Sequence, residues 1–390
     1  MPTAANTLIA GDGPYVWQAQ LSASVDTSEF GSDTALWHDA STGTDWAVVG
    51  APSEDRDAGA VYVYRHDLGA SGWSTNARIT PSAATPDSAF GAAVALDGNT
   101  LVVGAPRHQN VLTIGAAYVF VREAVTGTWT QQGDELNARI GAFGGAVAIS
   151  GDEIVIGDAS LNRVYPYERS GTLWNALTPI DAPSDMLSPS FGTRLWMKDT
   201  DLLVSAPSDS RMSAAQGSCA LYSFSRGAWD LQHILRPTID TSAGQAFCRS
   251  AARTGERIFV GAPRANGKVG ALDVFRLDPM SGAWLHQAQI AEPAGSTAPA
   301  PGSLFGTSVA AIGNTVAVGA VGGDLAFVFR VSGNALPLDS TLSGNAGSAF
   351  GASVSASSLY VLVGANTDGA KAQGAAHVFL NDRIFADGVE

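Results

Sequence analysis

Two arginines, Arg107 and Arg264, each directly follow a Gly-Ala-Pro triplet. A guanidinium presents a planar fork of donors that matches a carboxylate in two parallel hydrogen bonds. Two equivalently placed arginines are therefore candidates for engaging an acidic glycan or the carboxylates of a partner. His108, Arg211 and Lys268 lie in the same kind of segment and complete a candidate ligand-binding set of Arg107, His108, Arg211, Arg264 and Lys268. Little else in the chain points to chemistry. The six histidines do not converge: His233 and His286 fall on outer strands, His66 follows a strand, His377 lies within one, and His38 sits in an insertion. No Gly-x-Ser-x-Gly, His-Glu-x-x-His or phosphate-loop pattern occurs. No catalytic residue and no metal ligand is assigned, and no cofactor is expected.

The elements that position these residues recur along the chain. Phe90 to Phe120 reads as three short strands: Ala93–Leu96, a tight turn at Asp97-Gly98-Asn99, Leu101–Val103 ended by Gly104-Ala105-Pro106, and Ala117–Val121 after a loop. The middle run is unbroken and apolar, as a strand covered on both faces requires, and Pro106 cannot continue a ladder. Phe-Gly or a variant returns at Phe30, Phe90, Phe143, Phe191, Phe247, Phe305 and Phe350. The second triplet begins at Gly50, Gly104, Gly157, Ser205, Gly261, Gly319 and Gly364, and its separation from Phe is 14 in six copies and 20 in the first. A fourth strand, usually opened by a tryptophan, follows each third one: Trp73 to Ile79, Trp129 to Ile140, Trp174 to Ile180, Trp229 to Leu235, Trp284 to Ile290 and a segment near Leu336–Leu342.

Repeats of this length with four strands each imply a radial β-propeller. The reading is an all-β, seven-bladed propeller of four-stranded antiparallel blades spanning residues 15–380, with blades starting near 30, 90, 143, 191, 247, 305 and 350. The seventh repeat lacks a fourth strand, and Trp17–Leu21 is a spare one. Residues 15–24 are thus expected to complete blade 7 in a 1+3 closure, leaving a flexible N-terminus at 1–14 and a tail at 381–390.

Bulk properties narrow the partners. A net charge of −14 and a pI near 4.7 argue against nucleic acid and anionic membranes. No apolar run approaches the 18 or so residues of a membrane span. Residues 1–14 lack the layout of a signal peptide and read as a mature or trimmed start. The variable loops between second and third strands carry seven basic residues (Arg56, Arg107, Arg163, Arg211, Arg264, Lys268 and Lys371) and seven acidic ones, so they are neutral on an acidic chain. Such loops on a constant scaffold are where recognition resides. Cys219 opens the third strand of blade 4 and Cys248 the first strand of blade 5, near one face on adjacent blades. A disulfide and two small buried thiols are both open readings.

Phe-Gly followed by Gly-Ala-Pro in seven repeats resembles the FG-GAP repeat, which builds the head of integrin α subunits and many bacterial secreted proteins. The resemblance covers nearly all of residues 15–380 and implies an extracellular or cell-surface recognition platform of bacterial type. The departure from the integrin pattern is in the turns between first and second strands. Leu96-Asp-Gly-Asn-Thr100 and its counterparts are too short to wrap calcium, which takes six to eight oxygens. The functional expectation is a non-enzymatic adhesion module binding a protein or polysaccharide through its face loops. The alternatives are a carbohydrate-active enzyme of polysaccharide-lyase type and a structural component of a surface assembly.

Overall fold

A computed structural model describes residues 11–23, 28–82, 85–109, 114–138, 141–238, 243–294, 301–369 and 372–383. Seven antiparallel sheets form the blades of a propeller, and helical structure is almost absent. Blade 4 shows the plan: Leu195–Lys198, Asp201–Ala206, Ser218–Ser225 and Ala228–Leu235 pair in sequence order. In blade 7, Phe350–Ala356, Tyr360–Ala365 and Ala375–Asn381 are joined by Tyr15–Leu21, with Trp17 opposite Phe379. Of the 1–14 segment, Gly11–Asp12 pair with the outer strand Leu338–Ser343 of blade 6, and residues 1–10 lie outside the described residues. Residues 384–390 of the C-terminal tail and Lys371 also lie outside them. Among the described residues no helix is long and apolar enough to cross a membrane.

The fourth strands of blades 2 and 3 are each broken in two. Trp129–Gln131 and Leu136–Asn137 both pair with Ile114–Arg122, and the intervening residues loop out. Leu173–Ala176 and Ile180–Asp181 repeat this in blade 3. The outer tryptophans bridge backwards around the ring. Trp129 Nε1 donates to Asn76 Oδ1 at 3.1 Å and Trp174 Nε1 to Gln132 Oε1 at 3.0 Å.

The core is a stack of layers between neighbouring blades. Phe90 is fully buried among Val48, Val61 and Val63 of blade 1 and Leu101, Val103 and Tyr118 of its own blade. Behind each such phenylalanine the backbones of adjacent blades touch. A Cβ on Gly50 would lie 2.0 Å from the carbonyl oxygen of Gly91, and one on Gly104 2.0 Å from that of Gly144. No side chain fits there, so the glycine pair and the spacing of 14 are fixed by contact. The exception is the junction of blades 4 and 5. There Ser205 faces Cys248, and the Ser205 hydroxyl donates to the Cys248 carbonyl. Cys248 is bridged to Cys219 with 5.6 Å between their Cα atoms, which decides between the disulfide and the buried-thiol readings.

In four of the seven repeats a polar side chain four residues after the triplet's first position anchors the loop of the face. Glu54 accepts from Tyr62 at 2.9 Å and from Arg78 Nε at 2.7 Å. Asp209 accepts from the N–H groups of Leu187 and Arg211 and from the Ser218 hydroxyl. Asp368 accepts from Asn345 and from the Gly369 N–H. These carboxylates are buried because they replace hydrogen bonds that the turning backbone cannot make to itself.

Candidate functional site

The first strands of all seven blades line the central channel, which holds a cavity of about 310 Å³. Near the axis the blades converge and leave room mainly for small side chains, so Ala35, Ala95, Ala148, Ala251 and Ala310 form much of the wall. Among the described lining residues two carry charge, Asp33 and Arg194. Each stands three residues after its blade's phenylalanine, where the other repeats have Ala93, Ala146, Ser250, Ser308 and Ser353. The serines at this position seal junctions: their hydroxyls donate to the carbonyls of Gly306, Gly351 and Gly31 at 3.0, 2.8 and 2.9 Å.

Asp33 Oδ2 accepts from the Val94 N–H at 2.9 Å, which fixes the carboxyl across the junction of blades 1 and 2. Burial raises it above the usual carboxylate range, while Arg194 and the N–H groups of Val94 and Thr34 oppose the rise. The result is an oriented carboxyl, open to the channel yet poorly hydrated, that binds a proton more readily than a surface aspartate. Arg194 lies across the ring at the channel mouth and donates Nη1 to the Thr193 carbonyl at 3.3 Å. Arg249 follows Cys248 and lies close enough to Arg194 and Arg264 to feel both. The charge of Arg194, then burial, then the charge of Arg264 bring its guanidinium down to about 10. Among the described residues no carboxylate forms an ion pair with Arg194, Arg249 or Arg264. Asp33 is the one carboxylate among the described residues whose interaction with Arg194 is seen, at long range across the channel, and cations crowded together without a close ion pair are suited to receive an anion.

The candidate set from sequence divides. Arg264 belongs to this cluster. Arg107 does not: it is exposed and its Nη1 lies 3.9 Å from Asp57 of blade 1. Arg211 is exposed on a loop whose backbone Asp209 holds. Lys268 is exposed in a left-handed turn whose Asn266, Gly267 and Lys268 have φ of 51°, 69° and 71°. The Lys268 carbonyl accepts from the Gly302 N–H at 2.9 Å, so this turn ties blade 5 to blade 6.

The assignment of His108 as a ligand-binding residue is corrected. It is 2% exposed and occupies the anchor position filled elsewhere by Glu54, Asp209 and Asp368. Its Nδ1 bonds Thr85 Oγ1 at 3.1 Å, and its Nε2 lies 3.2 Å from Glu135, which also accepts from Tyr118 at 3.1 Å. A hydroxyl, an imidazole and a carboxylate in line have the order of a nucleophilic triad. Neither Thr85 nor His108 lines the channel cavity, however, and the chain of bonds fastens a loop.

Asp33, Arg194 and Arg249 were not in the set read from sequence. The signal is present at the second and third positions after each phenylalanine, where charged residues stand among Ala, Gly, Ser and Thr. Reading every first strand as scaffold hides it.

Residues 73–120, one repeat, match the FG-GAP repeat family. No curated protein sequence matches the chain. Several solved structures share its fold. One is from Bacteroides uniformis and is provisionally named a 6-phosphogluconolactonase: TM-score 0.57, 12% identity, covering 80% of this chain and 85% of that one. A second, with the same provisional name, is from Bacteroides fragilis: TM-score 0.54, 11% identity, 79% and 84% covered. A protein from Lactobacillus plantarum gives a TM-score of 0.56 at 14% identity, with 83% and 90% covered. At such identity the likeness is one of fold alone. The expectation of a non-enzymatic adhesion module is corrected on this point, because two of these three propellers bear an enzyme's provisional name. The inference from repeat to adhesion failed because a fold does not carry a function with it.

Proposed function

We propose that this FG-GAP repeat β-propeller is a hydrolase that binds a small anionic sugar derivative at the mouth of its central channel and opens a lactone ring. The observation that carries the reading is Arg194 on the channel wall with Arg249 next to it across the Ser205–Cys248 contact, neither in an ion pair with a carboxylate among the described residues. A cavity of about 310 Å³ suits a molecule the size of a phosphorylated sugar. The arginines hold the phosphate or carboxylate. Asp33, whose proton affinity is raised by burial, acts as general base on a water molecule. The water oxygen attacks the lactone carbonyl carbon, Asp33 takes the proton, and the ring C–O bond breaks. The departing alkoxide then recovers that proton. Arg194 stabilises charge on the carbonyl oxygen. The provisional enzyme name of two structures with this fold supports the choice of reaction.

The test is hydrolysis of 6-phosphogluconolactone followed by pH-stat. Wild type is expected to exceed the uncatalysed rate. Asp33→Asn lowers kcat by about 100-fold or more, and Arg194→Ala with Arg249→Ala raises KM by about tenfold or more. A wild-type rate equal to background contradicts the proposal. We also place the chain in an oxidising, extracytoplasmic compartment, supported by the Cys219–Cys248 bridge. Two free thiols in protein isolated without reductant would contradict that location.

A further inference from the structure

We propose that the Cys219–Cys248 disulfide is the positioning element of the anion site, holding Arg249 beside Arg194 at the channel mouth. The proposal rests on the reading of that mouth as an anion site.

Four departures from the repeat coincide at this junction: Ser205 replaces a triplet glycine, Cys248 replaces a Phe-Gly glycine, Cys219 supplies the bridge, and Arg249 follows. In the other repeats the residue at Arg249's place is small: Ser32, Ala92, Gly145, Thr193, Thr307 or Ala352. Cys248 has φ of 62°, whereas the six glycines at its position have φ of 90–95°. A side-chain-bearing residue in the left-handed region is disfavoured, and here it is tied from blade 4 twice, by the disulfide and by the Ser205 hydroxyl.

The backbone bond to the second strand moves as well. In blades 1 to 4 the N–H of the Phe-Gly glycine donates to the triplet's first carbonyl, as Gly31 does to Gly50. In blade 5 the N–H of Arg249 keeps the turn bond its counterparts make, to Ala246 at 3.0 Å, and also reaches Gly261 at 3.2 Å. Arg249 is thereby held to the second strand as well as to its own turn.

A tether at this point answers a specific force. The Ser205 N–H donates to the Arg194 carbonyl at 3.0 Å while its hydroxyl donates to the Cys248 carbonyl, so Arg194 and Arg249 are neighbours. Arg194 and Arg264 repel Arg249, for which no ion pair with a carboxylate is seen among the described residues. An untethered arginine would swing toward water and have to be gathered again on binding. A tethered one meets the anion ready-made. A staple that served stability alone would have no reason to adjoin a cation that neighbours the channel-lining Arg194.

The experiment is calorimetric titration with 6-phosphogluconate of wild type, of Cys219→Ala with Cys248→Ala, and of Ser205→Gly with Cys219→Ala and Cys248→Gly. The last restores the glycine pair that seals the other junctions, so it remains informative if the first fails to fold. Circular dichroism confirms folding at the assay temperature. Both variants are expected to bind at least tenfold more weakly, with a flatter dependence on salt, which a loss of stability does not produce. A folded variant that binds within twofold of wild type overturns the positioning role while leaving the anion site standing. Absence of binding by wild type overturns both.

Discussion

Six junctions between blades are sealed by glycine against glycine, and the one between blades 4 and 5 by Ser205, Cys248 and a disulfide. The difference separates scaffold from site. Where backbones touch, nothing can vary without breaking the ring. Where the contact has been rebuilt with side chains and a covalent bond, the chain has room for two arginines that the repeat does not need. Departure from the repeat, more than the repeat itself, marks where function lies.

The largest effect should come from disturbing a sealed junction. Gly104→Ala places a methyl group 2.0 Å from the Gly144 carbonyl oxygen and should cost about 3–5 kcal/mol in urea unfolding. Ser205→Gly, at the rebuilt junction, should cost no more than about 1 kcal/mol, the value of its hydrogen bond. Equal costs would erase the contrast between the two kinds of junction. Removing the disulfide comes next. It closes a sequence separation of 29 residues, for which loop entropy gives about 3–4 kcal/mol.

The loops distinguish anchors from surface in the same way. His108→Ala should cost about 2 kcal/mol, because it removes one partner from each of Thr85 and Glu135 at a buried site, and should leave anion binding unchanged. Arg107→Ala should fall within about 0.5 kcal/mol of wild type. Tighter or weaker anion binding in either variant would bring the face loops back into the site.

The smallest effects on stability are expected at the site itself, with opposite sign. Asp33 has its proton affinity raised on folding, so its contribution is most favourable at low pH and is lost as pH rises through its raised value. Asp33→Asn removes that penalty and keeps an oxygen for the Val94 N–H, so its melting temperature at pH 7 should equal or slightly exceed that of wild type. The same shift predicts that kcat/KM rises with pH along a limb displaced above the ordinary carboxylate range. Arg249, at about 10, stays charged through neutrality, and affinity for an anion should decline only as pH passes that value. An acidic limb at the ordinary aspartate position would assign the base to another group.

Much of this fold is legible in the sequence, and the reason is the glycine contact. Backbones that must touch fix the spacing of 14 from Phe90 to Gly104 and from Phe305 to Gly319, and that spacing identifies seven blades. The continuous strand expected from Trp129 to Ile140 was less legible. Gly133 to Glu135 leave the sheet, and Glu135 turns to meet His108 and Tyr118, a contact that no local pattern encodes. Residues 139–140 lie outside the described residues. The site was hardest of all. Asp33 and Arg194 come from blades 1 and 4, far apart in the chain, and face one channel only because the ring closes around its axis, while Arg249 joins Arg194 from the neighbouring blade 5. His108 misled because an imidazole next to Arg107 looks chemical in sequence, whereas its position in the repeat is that of a buried anchor.

The most direct test of the account is a crystal structure with 6-phosphogluconate at low ionic strength. The account predicts the anionic group within hydrogen-bonding distance of Arg194 and Arg249, with the sugar chain directed into the channel toward Asp33. A ligand bound on the outer loops around Arg107 and Arg211, with the channel mouth occupied by water alone, would contradict it.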